Sequence, residues 1–148
     1  MLIVREAEPP DLSNLLVLYT DLHENPLPEL DDALRGLWRQ ILADGNHHIF
    51  VGLIAGRIVS SLVCVVVPNL THAQRPWAIV ENVVTSPEYR HQGYATRMLD
   101  AARDLARREN CYKIMLMTGA KDEKTLKFYE NAGYNQKDKT GFIQWLDA

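Results

Sequence analysis

Ile79-Val80-Glu81-Asn82-Val83-Val84-Thr85-Ser86-Pro87-Glu88-Tyr89-Arg90-His91-Gln92-Gly93-Tyr94-Ala95-Thr96 passes from a β-branched run, through a proline-broken turn, into a segment of helical spacing. Trp77 to Thr85 reads as a strand because its residues suit a pleated, half-buried surface. Ser86-Pro87-Glu88 ends it. Ala95, Met98, Leu99, Ala102, Leu105 and Ala106 then mark one apolar face of a long helix. Gly93 stands where that helix opens. A helix start carries about four N–H groups without intrahelical partners and roughly half a positive charge. Such a place holds a phosphate without a lysine, and glycine lets the ligand come close to the backbone. Taken alone, Arg90-x-x-Gly93-x-Ala95 reads more readily as a turn glycine before a helix. The stretch has neither the Gly-Lys-Ser/Thr of a triphosphate loop nor the Gly-x-Gly-x-x-Gly of a dinucleotide fold, so neither ligand class is supported.

Working outward, Cys111 to Met117 reads as a further buried strand. Asp122 to Asn131 reads as a helix closed by Gly133 in a left-handed cap. Phe142 to Leu146 reads as a final strand. Upstream, His48 to Ile54 and Arg57 to Val67 are strands joined by Ala55-Gly56, a hairpin link. Leu2 to Ala7 is a short strand, and Pro9-Pro10-Asp11 introduces a helix with Leu12, Leu15, Leu16, Tyr19 and Leu22 on one face. Glu24-Asn25-Pro26-Leu27-Pro28 breaks that helix. Leu34, Leu37, Trp38, Ile41 and Leu42 mark a second. The order β-α-α-β-β-β-α-β-α-β predicts a mixed, mostly antiparallel sheet flanked by helices, an α/β (α+β) fold. With 148 residues, one domain spanning 1–148 is expected.

Hydrophobic residues make up 47% and charged residues 24%, the balance of a globular chain rather than a disordered one. The formal charge of −3 argues against a general nucleic-acid binder, which carries a basic surplus. Cys64 and Cys111 sit in apolar runs and read as small buried hydrophobes, not as a disulfide framework or zinc site. His47-His48 has no third ligand nearby and reads as a strand entry, so no metal is expected. No apolar run approaches the roughly 20 residues of a membrane span, and no signal-peptide core is visible. No membrane partner and a cytoplasmic location are therefore expected.

The segment Ile79 to Leu99 resembles the coenzyme-binding motif of the GCN5-related N-acetyltransferases, the GNAT superfamily. Its signature is Gln/Arg-x-x-Gly-x-Gly/Ala after a Val-rich strand end, and Arg90, Gly93 and Ala95 stand at the three defining positions. A second stretch, Phe128-Tyr129-Glu130-Asn131-Ala132-Gly133-Tyr134, is similar to the family's Tyr-x-x-x-Gly-Phe/Tyr signature. The resemblance covers about residues 48 to 146 and implies acetyl-coenzyme A as cosubstrate. It implies that Arg90, His91, Gln92, Gly93, Tyr94, Ala95 and Thr96 surround the pyrophosphate. Val83, Val84 and Thr85 would pair with the pantetheine arm like an added strand. His91 is expected beside the phosphates without chemistry. Many members carry Asn seven residues before the tyrosine, where its side chain meets the coenzyme. Asp122 stands there, and an Asp can cap the helix but cannot donate an amide N–H.

In such a family Tyr129 protonates the departing thiolate, a fitting task for a phenol of pKa about 10. Read on its own, an aromatic near a helix end packs in the core, the role assigned to Phe128 and Tyr134. Glu81 interrupts an apolar strand and is the candidate base. By alternation it should share a face with Val83 and oppose Asn82. An ion pair with an arginine is the competing reading of Glu81. A narrower similarity joins Ile79-Val80-Glu81-Asn82-Val83-Val84, Cys111-Tyr112-Lys113-Ile114 and Lys127-Phe128-Tyr129-Glu130 to the glucosamine-6-phosphate N-acetyltransferases. Those carry an Asp where Asn82 stands.

The expected function is acetyl transfer to a primary amine of a small molecule by direct attack in a ternary complex. A non-catalytic acyl-coenzyme A sensor and a protein acetyltransferase acting on N-termini or lysines are the alternatives. The family resemblance also admits a homodimer paired through sheet edges. By the same analogy, the acceptor would meet the link between the first two helices and the Pro68–Pro76 loop. His23, Glu24, Asn25, Glu29, Asp31 and Asp32 make that link acidic, which suits a cation or, more simply, a solvated helix start. His72 and Arg75 are candidates for touching an anionic substrate. Trp38, Trp77 and Trp145 read as core or sheet-surface packing.

Overall fold

In the computed structural model, which describes every residue except Glu24 and Ala148, the prolines at 9 and 10 start a 3-10 turn that runs straight into the first helix. The elements in chain order are β1 (Ile3–Glu6), α1 (Leu12–Tyr19), α2 (Asp32–Ala43), β2 (His47–Ile54), β3 (Arg57–Val67), β4 (Trp77–Thr85), α3 (Tyr94–Arg108), β5 (Ile114–Leu116) and α4 (Glu123–Asn131). The strands form one sheet in the order β1-β2-β3-β4-β5. The first four are antiparallel and β5 runs parallel to β4. The β2–β3 link has Ala55 at φ 48° and Gly56 at φ 80°, the two left-handed residues a tight hairpin needs.

Alternation along the strands divides the core in two. Phe50, Leu62, Cys64, Ala78 and Val80 face α3, where Met98, Leu99, Ala102, Leu105 and Ala106 are buried. Ile49, Val51, Ile58, Val63 and Val84 face α1 and Trp38 of α2. The Trp38 indole N–H donates to the Pro9 carbonyl at 3.1 Å, so its polar edge is satisfied. Arg5 of β1 holds Asp11 through two hydrogen bonds of 2.6 and 3.1 Å, and the Glu8 N–H donates to the same carboxylate at 2.7 Å. The Arg5 hydrogen bond keeps the Asp11 carboxyl below its ordinary pKa. Cys64 is buried and Cys111 half-buried, both free, and burial pushes both thiols up, Cys64 to about 12.

Three features of the C-terminal third differ from expectation. No strand forms over Phe142 to Leu146. A strand needs a neighbour for its N–H and C=O groups, and none of the described residues supplies one. β5 is shorter than expected, and its three residues are half-buried rather than buried, because no strand lies on its outer edge. Trp145, expected to pack, is 80% exposed.

Candidate active site

β4 does not alternate to its end. Asn82 takes φ 54°, a left-handed conformation that Asn tolerates better than most residues. Val63 of β3 pairs with Glu81, and Ser61 pairs with Val84. Two residues, Asn82 and Val83, therefore stand opposite Leu62 alone, which defines a β-bulge. The extra residue corrects the expected geometry. Glu81 shares the α1 face with Val84, while Val83 packs towards the α3 core. Glu81 and Asn82 are both exposed. Glu81 forms no ion pair with any described residue, so the arginine pairing is not found.

β5 pairs with β4 only over Ala78, Ile79 and Val80. From Glu81 to Thr85 the β4 edge on the β5 side has no strand beside it. The slot so formed has a main-chain wall, Val83-Val84-Thr85, with its other edge fixed to β3. Ser60 helps fix it: its hydroxyl donates to the Val84 carbonyl at 3.1 Å and hydrogen-bonds the Thr85 hydroxyl at 2.9 Å. The Thr85 carbonyl accepts from Arg90 Nε at 3.0 Å, which clamps the loop 86–93 against the strand end.

That loop ends at Gly93, the N-cap of α3, with φ 79°. No side chain caps this helix, and its first backbone bond is Arg97 N–H to the Gly93 carbonyl. The N–H groups of Tyr94, Ala95 and Thr96 are thus left without the usual side-chain acceptor. A Cβ placed on Gly93 would meet nothing within 4 Å, so the space beside this residue is open. Gln92 and His91 are exposed, and the Gln92 side chain accepts from the Tyr94 hydroxyl at 3.1 Å.

Tyr129 comes from α4. The helix ends in a full Schellman motif: Tyr134 N–H donates to the Tyr129 carbonyl at 3.1 Å, and Gly133 N–H to the Glu130 carbonyl at 3.0 Å. Gly133 supplies the required positive φ, 101°. Tyr129 is half-buried beside the α3 core, edge-on to Phe128 at 5.0 Å between centroids. Burial raises its phenol above the ordinary tyrosine value. At the other end of α4, Asp122 caps the helix, accepting from Thr125 N–H at 3.0 Å and from its hydroxyl at 2.9 Å. Those bonds hold its carboxyl below the usual range.

Acid and base candidates therefore lie on opposite faces of the sheet, on either side of the place where β4 and β5 part. Several other sequence candidates have structural duties. Arg75 donates to the carbonyls of Asn110 and Cys111, and the His72 ring stacks on Tyr112 at 3.8 Å. His48 pairs with Glu6. Asp31 caps α2 and the link before it is solvent-exposed; Glu24 lies outside the described residues. A groove of about 340 Å³ opens on the α1 side just past β4, bordered by Asn14, Asp21, Arg57 and Ser86. Spacing carried no sign of it, because its residues come from separate elements. Among the described residues no cluster of metal-ligand type occurs, and no helix is long and apolar enough to cross a membrane.

A bulged strand, an unpaired strand edge and an uncapped helix start thus follow one another from β4 into α3. The family model described as the acetyltransferase (GNAT) family matches residues 12–134, and the chain belongs to that family. It is 30% identical to the glucosamine 6-phosphate N-acetyltransferase of Trypanosoma brucei brucei over 142 residues, 92% of this chain and 90% of that one. A solved structure of an acetyltransferase-type protein from Agrobacterium tumefaciens str. C58 has 39% identity and a TM-score of 0.90, covering 97% of this chain and 99% of that one. The glucosamine-6-phosphate N-acetyltransferase of Arabidopsis thaliana, at 18% identity and a TM-score of 0.86, covers 99% of both chains and shares the fold.

Proposed function

We propose that the protein transfers an acetyl group from acetyl-coenzyme A to the primary amine of a small molecule, by direct attack in a ternary complex. The observation that carries this reading is the unpaired β4 edge at 81–85 leading to the uncapped start of α3. Main-chain groups of Val83 and Val84 bind the pantetheine arm as a strand would, and the amides at 93–96 hold the pyrophosphate. The loop 90–92 shapes that cradle, with Arg90 clamping it. Asp122 acts by capping α4, and so by aiming Tyr129.

Glu81 takes a proton from the acceptor amine, directly or through water, and frees the nitrogen lone pair. The nitrogen forms a bond to the thioester carbonyl carbon, and the carbon–sulfur bond breaks. Tyr129 gives its phenol proton to the departing thiolate, and the surplus proton on the new amide nitrogen passes through solvent to the Tyr129 phenolate. The products are an amide and the free thiol of coenzyme A. Positioning supplies most of the acceleration, and main-chain N–H groups stabilise charge on the carbonyl oxygen.

Two kinds of relative point to an amino sugar as acceptor. The Trypanosoma protein is a glucosamine 6-phosphate N-acetyltransferase, and a solved aminoglycoside acetyltransferase of the same fold is in complex with sisomicin. The protein partner in this reading is a second copy of the chain, and the compartment is the cytoplasm. The test is thiol release from acetyl-coenzyme A across a panel of amines that includes glucosamine 6-phosphate. Acceptor-dependent release with an amino sugar is the expected result. Tight coenzyme binding without release for any amine would overturn it in favour of a sensor, and release only with peptides would move the acceptor to protein.

A further inference from the structure

The groove beside α1 is lined by neither Glu81 nor Tyr129. Val17, Leu18 and Ile58 give it an aliphatic floor, and Asn14, Asp21, Arg57 and Ser86 give it a polar border. Two of those polar groups lack a partner among the described residues. Ser86 is only 6% exposed, yet its hydroxyl does not cap the turn it opens and bonds to no other described residue. A hydroxyl so covered by protein calls for a hydrogen-bond partner, and the groove it lines is where one can enter. Asp21 is in no ion pair among the described residues. Arg57 is the cation of the groove. Its guanidinium lies 3.5 Å from Glu88 and 5.7 Å from the centre of the Tyr89 ring, so it reaches from the groove to the loop that ends at Gly93.

We propose that this groove binds an apolar α-amino acid as an effector, and that the bound amino acid tightens the hold on coenzyme A. One carboxylate, one guanidinium and a free hydroxyl over an aliphatic floor match an ammonium, a carboxylate and a hydrocarbon side chain carried by one compact molecule. A volume of about 340 Å³ lies at the small end for binding pockets and suits a ligand of that size. An amine alone would leave Arg57 unanswered, and a carboxylic acid alone would leave Asp21 so. The coupling follows from where the contacts lie. Ser86 begins the loop 86–93, and Arg57 packs on Tyr89 within it. By itself, the exposed Arg57–Glu88 pair ties that loop to the β2–β3 hairpin only weakly. An occupant meets Ser86 and Arg57 together only when the loop is docked on the hairpin, the arrangement that also presents the amides at 93–96. Both ligands then favour one state of the loop, and each strengthens the other. The coupling rests on the reading that those amides hold the pyrophosphate; the amino acid site does not.

Calorimetry of the full chain with L-leucine, before any coenzyme is added, reads the site by itself. A Kd of about 1 mM or tighter is expected, and about tenfold weaker for isoamylamine and for 4-methylpentanoate, each of which lacks one of the two charges. Asp21→Asn and Arg57→Gln should each weaken leucine about tenfold while keeping the wild-type circular dichroism. Saturating leucine should then lower the Kd of acetyl-coenzyme A about fivefold in the wild type and leave it unchanged in Asp21→Asn. No leucine binding, or equal binding by the wild type and both variants, would overturn the site. Leucine binding that leaves the coenzyme Kd of the wild type unchanged would overturn the effector role. Leucine-dependent thiol release would make the amino acid an acceptor and refute the proposal as well. Leucine binding in a protein that takes up no acetyl-coenzyme A would strike the coenzyme reading, and the coupling with it, while upholding the site.

Discussion

At the residue scale the proposed chemistry falls to two side chains on opposite faces of the sheet, Glu81 and Tyr129. Tyr129→Phe keeps the ring and its packing against Phe128 but removes the donor. Turnover should fall about 10²-fold, the low end for a general acid, with coenzyme affinity unchanged by calorimetry. Burial raises the Tyr129 phenol, so it stays protonated well past neutral pH. The wild-type rate should therefore not decline through loss of this acid until the pH has risen above about 10. Equal turnover in the two proteins at every pH would remove Tyr129 from the chemistry. For Glu81→Gln the expected signature is a rate deficit at pH 7 that shrinks as the pH nears the pKa of an alkyl amine, about 10. A deficit constant with pH would make Glu81 a binding residue.

At the element scale, the long periodic segments were legible. The apolar face of α3 and the Gly133 cap of α4 follow from spacing and from one glycine. Gly133→Ala should cost about 1 kcal/mol in denaturant unfolding, because φ 101° suits no side chain while open space removes any steric excuse. No loss would mean the helix end relaxes freely. The bulge at Asn82 was not legible. One inserted residue has no period, and it reversed the predicted relation of Glu81 to Val83. It also makes Asn82, at φ 54°, a position that disfavours a β-branched residue. The missing strand at 142–146 was misread for another reason: composition reports what a segment can pair with, not whether a partner is present.

At the scale of the whole molecule, residues far from the slot keep its frame together. Arg5 and Asp11 join the edge strand β1 to the turn that starts α1. The folded-state pKa of Asp11 is depressed, so its contribution is present above the unfolded value near 3.9 and is lost as the pH falls through the folded value. Asp11→Ala should lower stability by about 2 kcal/mol at pH 7, in the range of hydrogen bonds to charged groups. That difference should shrink towards zero as the pH drops below 3.9. A pH-independent difference in urea midpoints would assign the loss to packing instead.

The central claim is that main-chain groups along β4 and at the start of α3 grip the cosubstrate. Amide hydrogen exchange, followed by mass spectrometry with and without acetyl-coenzyme A, reads those groups directly. Exchange should slow at 83–85 and 93–97 on addition of the thioester and stay unchanged at the β2–β3 hairpin. Binding with protection elsewhere and none in those two segments would contradict it.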